Sequence, residues 1–92
     1  MARLLSSGEI QEKISRLPKW TISGQHIQTI RQFNNFLEAM AFVNQLIQPA
    51  ESAGHHPDIE ISYNRVTITL TTHDAGGLTE KDFELAEVIT GL

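Results

Sequence analysis

The chain has no cysteine among its 92 residues. Disulfides and thiolate metal sites are therefore excluded, and nothing argues for an oxidising compartment. Long apolar runs are missing too. The N-terminal apolar stretch is too short for a signal peptide, and nothing approaches membrane-spanning length. These absences lead to the expectation of a cytoplasmic protein with no membrane contact. Basic residues are few, seven Lys and Arg against eleven Asp and Glu, and they are scattered. Without a basic face, direct nucleic-acid binding is not expected. There is no internal repeat or low-complexity run. No glycine-rich phosphate loop, nucleophilic serine motif or metalloprotease motif occurs. At this length one domain is expected, residues 1–92, small enough that oligomerisation would help to stabilise it.

What is present is a pattern of capped helices and alternating strands. Ser6 with Glu9 reads as a capping box opening a helix with the apolar stripe Ile10, Ile14 and Leu17, ended by Pro18. Trp20-Thr21-Ile22 and Ile27 to Phe33 read as a hairpin around Ser23-Gly24-Gln25. Asn35 with Glu38 opens the longest helix, with Phe36, Ala39, Met40, Val43, Leu46 and Ile47 as its core stripe. Leu37, Ala41 and Phe42 widen its apolar surface, offering either a broad core contact or a face for another subunit. Pro49 should kink or end this helix, and Gly54 should terminate it. Ile59 to Tyr63 and Val66 to Leu70 alternate cleanly. Asn64-Arg65 is the expected turn, which pairs Tyr63 with Val66 and Ile61 with Ile68. Thr79, with Asp82 in the box position, caps the last helix. The predicted fold is α+β: a four-stranded antiparallel sheet with three helices packed mainly on one face, in the order α-β-β-α-β-β-α.

Three of the four histidines collect near this second hairpin: His55 and His56 before Pro57, and His73 in Thr72-His73-Asp74. Extending the expected ladder puts His56 opposite His73. Imidazoles both give and take protons near neutral pH, so the cluster suggests a proton-transfer site. A metal reading is also open, with Glu51 or Asp74 joining three imidazoles. Adjacent histidines on an extended segment point to opposite faces, which makes them awkward joint ligands. Glu51 lies at a helix C-terminus, where the helix dipole disfavours it, and is a candidate to accept hydrogen bonds from a ligand.

Glu51-x-x-x-His55-His56-Pro57, Tyr63-Asn64-x-Val66, Leu70-x-Thr72-His73 and Gly77-Leu78-Thr79-x-Lys81-Asp82 together resemble the signature of the pterin-4a-carbinolamine dehydratases. That family is also known as a dimerisation cofactor of a homeodomain transcription factor. The resemblance covers nearly the whole chain. It implies dehydration of 4a-hydroxytetrahydrobiopterin or a related 4a-hydroxytetrahydropterin to the quinonoid dihydropterin, in tetrahydropterin recycling. It implies that His55, His56 and His73 are the active-site histidines. His55 and His73 would move protons, and His56 would mainly bind and orient. Glu51 and Asp82 match acidic positions of the pterin site, and Pro57, Thr72 and Asp74 would line it. It implies no metal and no organic cofactor, a homodimer or homotetramer, and in some members a protein partner. Two positions depart from the family pattern. Pro49 interrupts a helix that is usually continuous and contributes to tetramer contacts in some members. Ile59 stands where many relatives carry an aromatic residue.

Overall fold

The structure, a computed structural model, describes residues 2–92. It shows the expected α+β architecture. Helix α1 (Ser7–Ser15) precedes the hairpin β1 (Thr21–Ser23) and β2 (His26–Gln32). Helices α2 (Phe36–Gln45) and α3 (Ile47–Ala53) follow, then β3 (Asp58–Ser62), β4 (Arg65–Leu70), a short 3-10 turn (His73–Ala75) and α4 (Glu80–Thr90). The strands form one antiparallel sheet in the order β1-β2-β4-β3.

Local chemistry fixes most element boundaries. The Ser6 hydroxyl accepts from the Glu9 amide, and the Glu9 carboxylate accepts from the Ser6 amide, closing the capping box of α1. The long helix is interrupted at Leu46, upstream of Pro49. A proline inside a helix has no N–H for the carbonyl four residues back, and its ring crowds that carbonyl. That carbonyl belongs to Gln45, where α2 stops. Pro49 then occupies the first turn of α3, whose amides need no helical partner. Gly54 closes α3 with φ 60°, a left-handed position that glycine adopts without strain.

The inner face of the sheet carries Ile27, Val66, Ile68 and Leu70, each with no exposed surface. Against them pack Ala39 and Phe42 from α2, Leu46 just after it, and Leu85, Ala86 and Ile89 from α4. Trp20 is core, its Nε1 donating to Thr90 Oγ1 at 2.9 Å. Arg31 ties the sheet to the end of α4, donating to the carbonyls of Ile89, Thr90 and Leu92 while its guanidinium lies 4.7 Å from the centre of the Phe42 ring. Cations are favoured at helix C-termini, where carbonyls lack partners.

The stripe expected for the long helix is partly rotated. Phe36 and Ile47 are exposed, and Phe42, expected to widen the surface, is buried. The break at Leu46 turns Ile47 away from the core, and the stacking of Phe42 beneath Arg31 and beside Phe33 holds it inward.

The β3–β4 register also differs from expectation. Ile61 pairs with Val66 and Ile59 with Ile68, a two-residue slip. The cause lies in the neighbouring strand. The β2–β4 ladder runs to Gln32 opposite Arg65. It continues through Phe33 N donating to Asn64 O and Asn64 Nδ2 donating to Phe33 O, both at 2.8 Å. Arg65 is thereby held in strand, and the turn becomes Tyr63-Asn64, with Tyr63 at φ 51°. Because the slip is even, Ile59 and Ile61 keep the same face as Ile68 and Val66. They remain 37% and 38% exposed because β3 is the edge strand.

Candidate active site

The site lies where α3, the segment after it, the end of β4 and the start of α4 converge. The left-handed turn at Gly54 ends α3 and sends the chain into His55-His56-Pro57. His55 N donates to Ala50 O at 3.1 Å, tying this segment back onto the helix. On the other side, β4 ends at Leu70, so His73 opens the 3-10 turn rather than ending a strand. Thr72 pairs with Gly77 across that turn, and Thr72 O accepts from the amides of Ala75 and Gly76. The segment from Ala75 to Gly77 is therefore closed on itself by backbone bonds, with Gly76 in the left-handed region at φ 78°. It presents His73 and Asp74 outward.

With the observed register, extending the β3–β4 pairing sets Thr71, not His73, opposite His56. The three histidines nevertheless meet. His55, His56 and His73 line one open cleft of about 260 Å³, together with Thr71, Thr72, Asp74 and Lys81.

The two adjacent histidines have different surroundings. His55 is buried, and its Nε2 lies 2.6 Å from Asp82 Oδ1. Asp82 has no exposed surface. Its other oxygen, Oδ2, accepts from Thr72 Oγ1 at 2.8 Å and from Thr79 N at 2.9 Å. A carboxylate taken out of water needs such donors to remain charged. Since a carboxylate only accepts, Nε2 of His55 carries a proton, and in the neutral ring Nδ1 is the bare nitrogen. Nδ1 makes no hydrogen bond among the described residues, and none of their buried polar side-chain atoms lacks a partner. Nδ1 is therefore not sealed in the interior, and His55 lines the cleft. His56 is exposed, its Nε2 2.6 Å from Glu51 Oε2 at the surface.

Asp82, expected to bind substrate, has no exposed surface and lies behind His55, with Oδ1 against Nε2. Thr72, expected to line the site, does so with its hydroxyl turned to Asp82. Pro57 and Glu51 line a neighbouring apolar groove of about 330 Å³ with Val43, Leu46, Ile47, Ala50 and Ile59. His56 borders both spaces. Nothing in the local sequence around His55 calls for burial. Its pairing across 27 residues with Asp82 draws it inward.

Lys81 and Thr79 were not singled out as site residues. Lys81 lines the cleft from the first turn of α4. Thr79 reads in the sequence only as a helix cap. For each the available signal was adjacency to Asp82 in the Thr79-x-Lys81-Asp82 string. Among the described residues, no group of three His, Asp or Glu side chains is arranged to hold a metal ion.

A small α+β domain with a carboxylate-anchored histidine in the wall of a polar cleft defines a class suited to proton transfer on a small molecule. The comparisons with known proteins narrow that class. The family model described as pterin 4 alpha carbinolamine dehydratase matches residues 3–92. A protein of Cyanothece sp., provisionally named a pterin-4-alpha-carbinolamine dehydratase, is 64% identical over 92 residues, covering 100% of this chain and 95% of its own. A protein of Nostoc sp. with the same provisional name is 64% identical over 90 residues, covering 98% and 97%. Among solved structures, a transcriptional coactivator/pterin dehydratase from Brucella melitensis superposes with a TM-score of 0.89 at 34% identity, covering 95% of each chain. The chain belongs to the pterin-4a-carbinolamine dehydratase family.

Proposed function

We propose that this chain dehydrates 4a-hydroxytetrahydrobiopterin, or a related 4a-hydroxytetrahydropterin, to the quinonoid dihydropterin, and so serves tetrahydropterin recycling. The observation that carries this reading is the His55–Asp82 pair in the wall of the histidine cleft. Elimination breaks the bond between C4a and its hydroxyl, and the oxygen leaves as water once it has gained a proton. The adjacent ring nitrogen loses its proton, and a carbon–nitrogen double bond forms. One group must give a proton and another must take one, help worth about 10²- to 10⁴-fold. His55, with Nε2–H fixed on Asp82, offers a bare Nδ1 as acceptor. His73, on its outward-facing turn, supplies the second imidazole. His56, steadied by Glu51, binds and orients the pterin at the border between cleft and groove. Asp74 and Pro57 complete the walls, and Lys81 offers a cation to a substrate oxygen. None of these steps calls for a metal or an organic cofactor.

The test is a dehydration assay on freshly generated 4a-hydroxytetrahydropterin. The protein should accelerate water loss, and chelator treatment should leave the rate unchanged. Full activity in a folded His55→Ala/His73→Ala double variant would overturn the assignment.

A second reading, a protein-binding or coactivator module, is supported by Phe36 and Leu37, which stand 51% and 78% exposed on α2. The same face supports a homodimer or homotetramer. Retention of partner binding in a catalytically dead His55 variant would separate this role from catalysis.

A further inference from the structure

Two buried threonines outside the proton-transfer step hold the carboxylate of Asp82 in place. Thr72 Oγ1 lies 2.8 Å from Asp82 Oδ2 and 2.8 Å from Thr79 Oγ1. A hydroxyl has one proton to give. Thr72 spends its proton on the carboxylate, which cannot donate in return. Towards Thr79 it can then only accept, so the Thr79 hydroxyl donates to Thr72. Thr79 Oγ1 in turn accepts from Lys81 N at 3.3 Å, and Thr79 N donates to Asp82 Oδ2. Thr79 and Asp82 have no exposed surface, and Thr72 is 6% exposed. Burial leaves water little room to compete for these bonds. The chain of donors runs one way, from the first turn of α4 through Thr79 and Thr72 to Asp82, and leaves Oδ1 as the acceptor for His55.

We infer that Thr72 and Thr79 are positioning residues that hold Asp82 as an oriented acceptor and thereby fix His55 in the Nε2–H tautomer, with Nδ1 bare toward the cleft. Neither hydroxyl needs to touch substrate. The inference rests on the proposed role of His55 for its effect on rate, but not for its effect on the imidazole. Valine in place of Thr72 keeps the shape and removes the donor. Thr79 is also the N-cap of α4, so its removal would confound positioning with helix stability. Thr72 therefore carries the test, with Thr72→Ser restoring the hydroxyl.

The experiment is ¹⁵N NMR of the histidine side chains in the wild type, Thr72→Val and Thr72→Ser, with kcat and KM measured on the same samples. His56, His73, Asp74, Lys81 and Asp82 face His55 in all three proteins, so their fields cancel in the comparison. The wild type should show His55 as the Nε2–H tautomer with a strongly hydrogen-bonded proton. Thr72→Val frees Oδ2, so the carboxylate can turn Oδ1 away from Nε2. Without that fixed acceptor His55 should mix its tautomers and kcat should fall roughly tenfold with KM unchanged, since a wrong tautomer removes the acceptor without removing binding contacts. Thr72→Ser should restore both. A wild-type His55 in the Nδ1–H form overturns the inference, whether or not Thr72→Val folds. So does a folded Thr72→Val with an unaltered His55 signal. Tautomer mixing in Thr72→Val, when the wild type has no dehydratase activity, would uphold the positioning role while removing the proposed function.

Discussion

His55 is held by a carboxylate that water does not reach, and this decides what its removal does. In His55→Ala, Asp82 keeps its two other donors but loses the partner of Oδ1 inside the protein. Leaving a buried charge partly unpaired costs about 3 kcal/mol or more, a large share of a small domain's stability. His56→Ala breaks only an exposed pair with Glu51, worth about 1 kcal/mol at most. His73→Ala removes an exposed ring, with an expected change within about 0.5 kcal/mol. Thermal melts should therefore rank His55→Ala well below the other two. Turnover should divide differently. His55→Ala and His73→Ala should each lose 10- to several-thousand-fold, about 1.4–5 kcal/mol of transition-state stabilisation, while His56→Ala and Glu51→Ala should act more on KM. A His55→Ala variant as stable as His73→Ala would show that the buried pair does not exist in solution. Tyr63 makes a separate test. Its φ of 51° disfavours a bulky side chain, and asparagine tolerates that region better. Tyr63→Asn should raise stability by about 0.5–1 kcal/mol in chemical denaturation, and a loss of stability would show that Tyr63 packs more than its 64% exposure allows.

Among the elements, α1 depends on a surface charge that can be titrated away. Hydrogen bonds from Arg3, then from the Ser6 amide, hold the Glu9 carboxyl well below the usual carboxylate range, at about 2. The folded value lies below the unfolded one. The charged form therefore favours folding above the ordinary carboxylate value, and that contribution fades as pH falls toward 2. Glu9→Gln keeps the reach of the capping box but not its charge. Its melting temperature should lie below wild type at pH 7 and approach it near pH 2.5. A constant gap would assign the effect to shape rather than charge. This capping box was legible in the sequence because its bonds span three residues, and so was the box at Thr79 and Asp82. The break before Pro49 was legible for the same reason, since proline acts on its own helix. The β3–β4 register was not. It depends on Asn64 bonding to Phe33 in another hairpin, which outweighs the discomfort of Tyr63 in the turn. The site divides along the same line. The His55-His56 pair, Glu51 and His73 stand out by residue type, and the cleft does gather His55, His56 and His73. Which histidine would be buried, and on which carboxylate, depended on α4 docking beside α3, and no local pattern encodes that.

At the scale of the whole molecule, the interior is well satisfied while parts of the surface stay apolar and open. Leu37 on α2 is 78% exposed, Ile47 on α3 is 60% exposed, and Ile59 and Ile61 stand partly open on the edge strand β3. Val43, Leu46, Ile47 and Ile59 also line the apolar groove beside His56. Edge strands with unpaired backbone groups invite association, and exposed apolar patches mark interaction surfaces. The proposed homo-oligomer would use such surface, and the groove carries part of it to the border of the site. Leu37→Glu should then weaken association. Because Leu37 contributes little to the core, the variant should melt within about 1 kcal/mol of wild type. Light scattering at micromolar concentration should give a dimer or tetramer for the wild type and a smaller species for Leu37→Glu. The interruption at Leu46 bears on which species forms, because a long continuous helix presents a straighter surface to partners than two short ones. A wild type that is monomeric under these conditions would remove the oligomer from the proposal while leaving the cleft, and the chemistry assigned to it, as they stand.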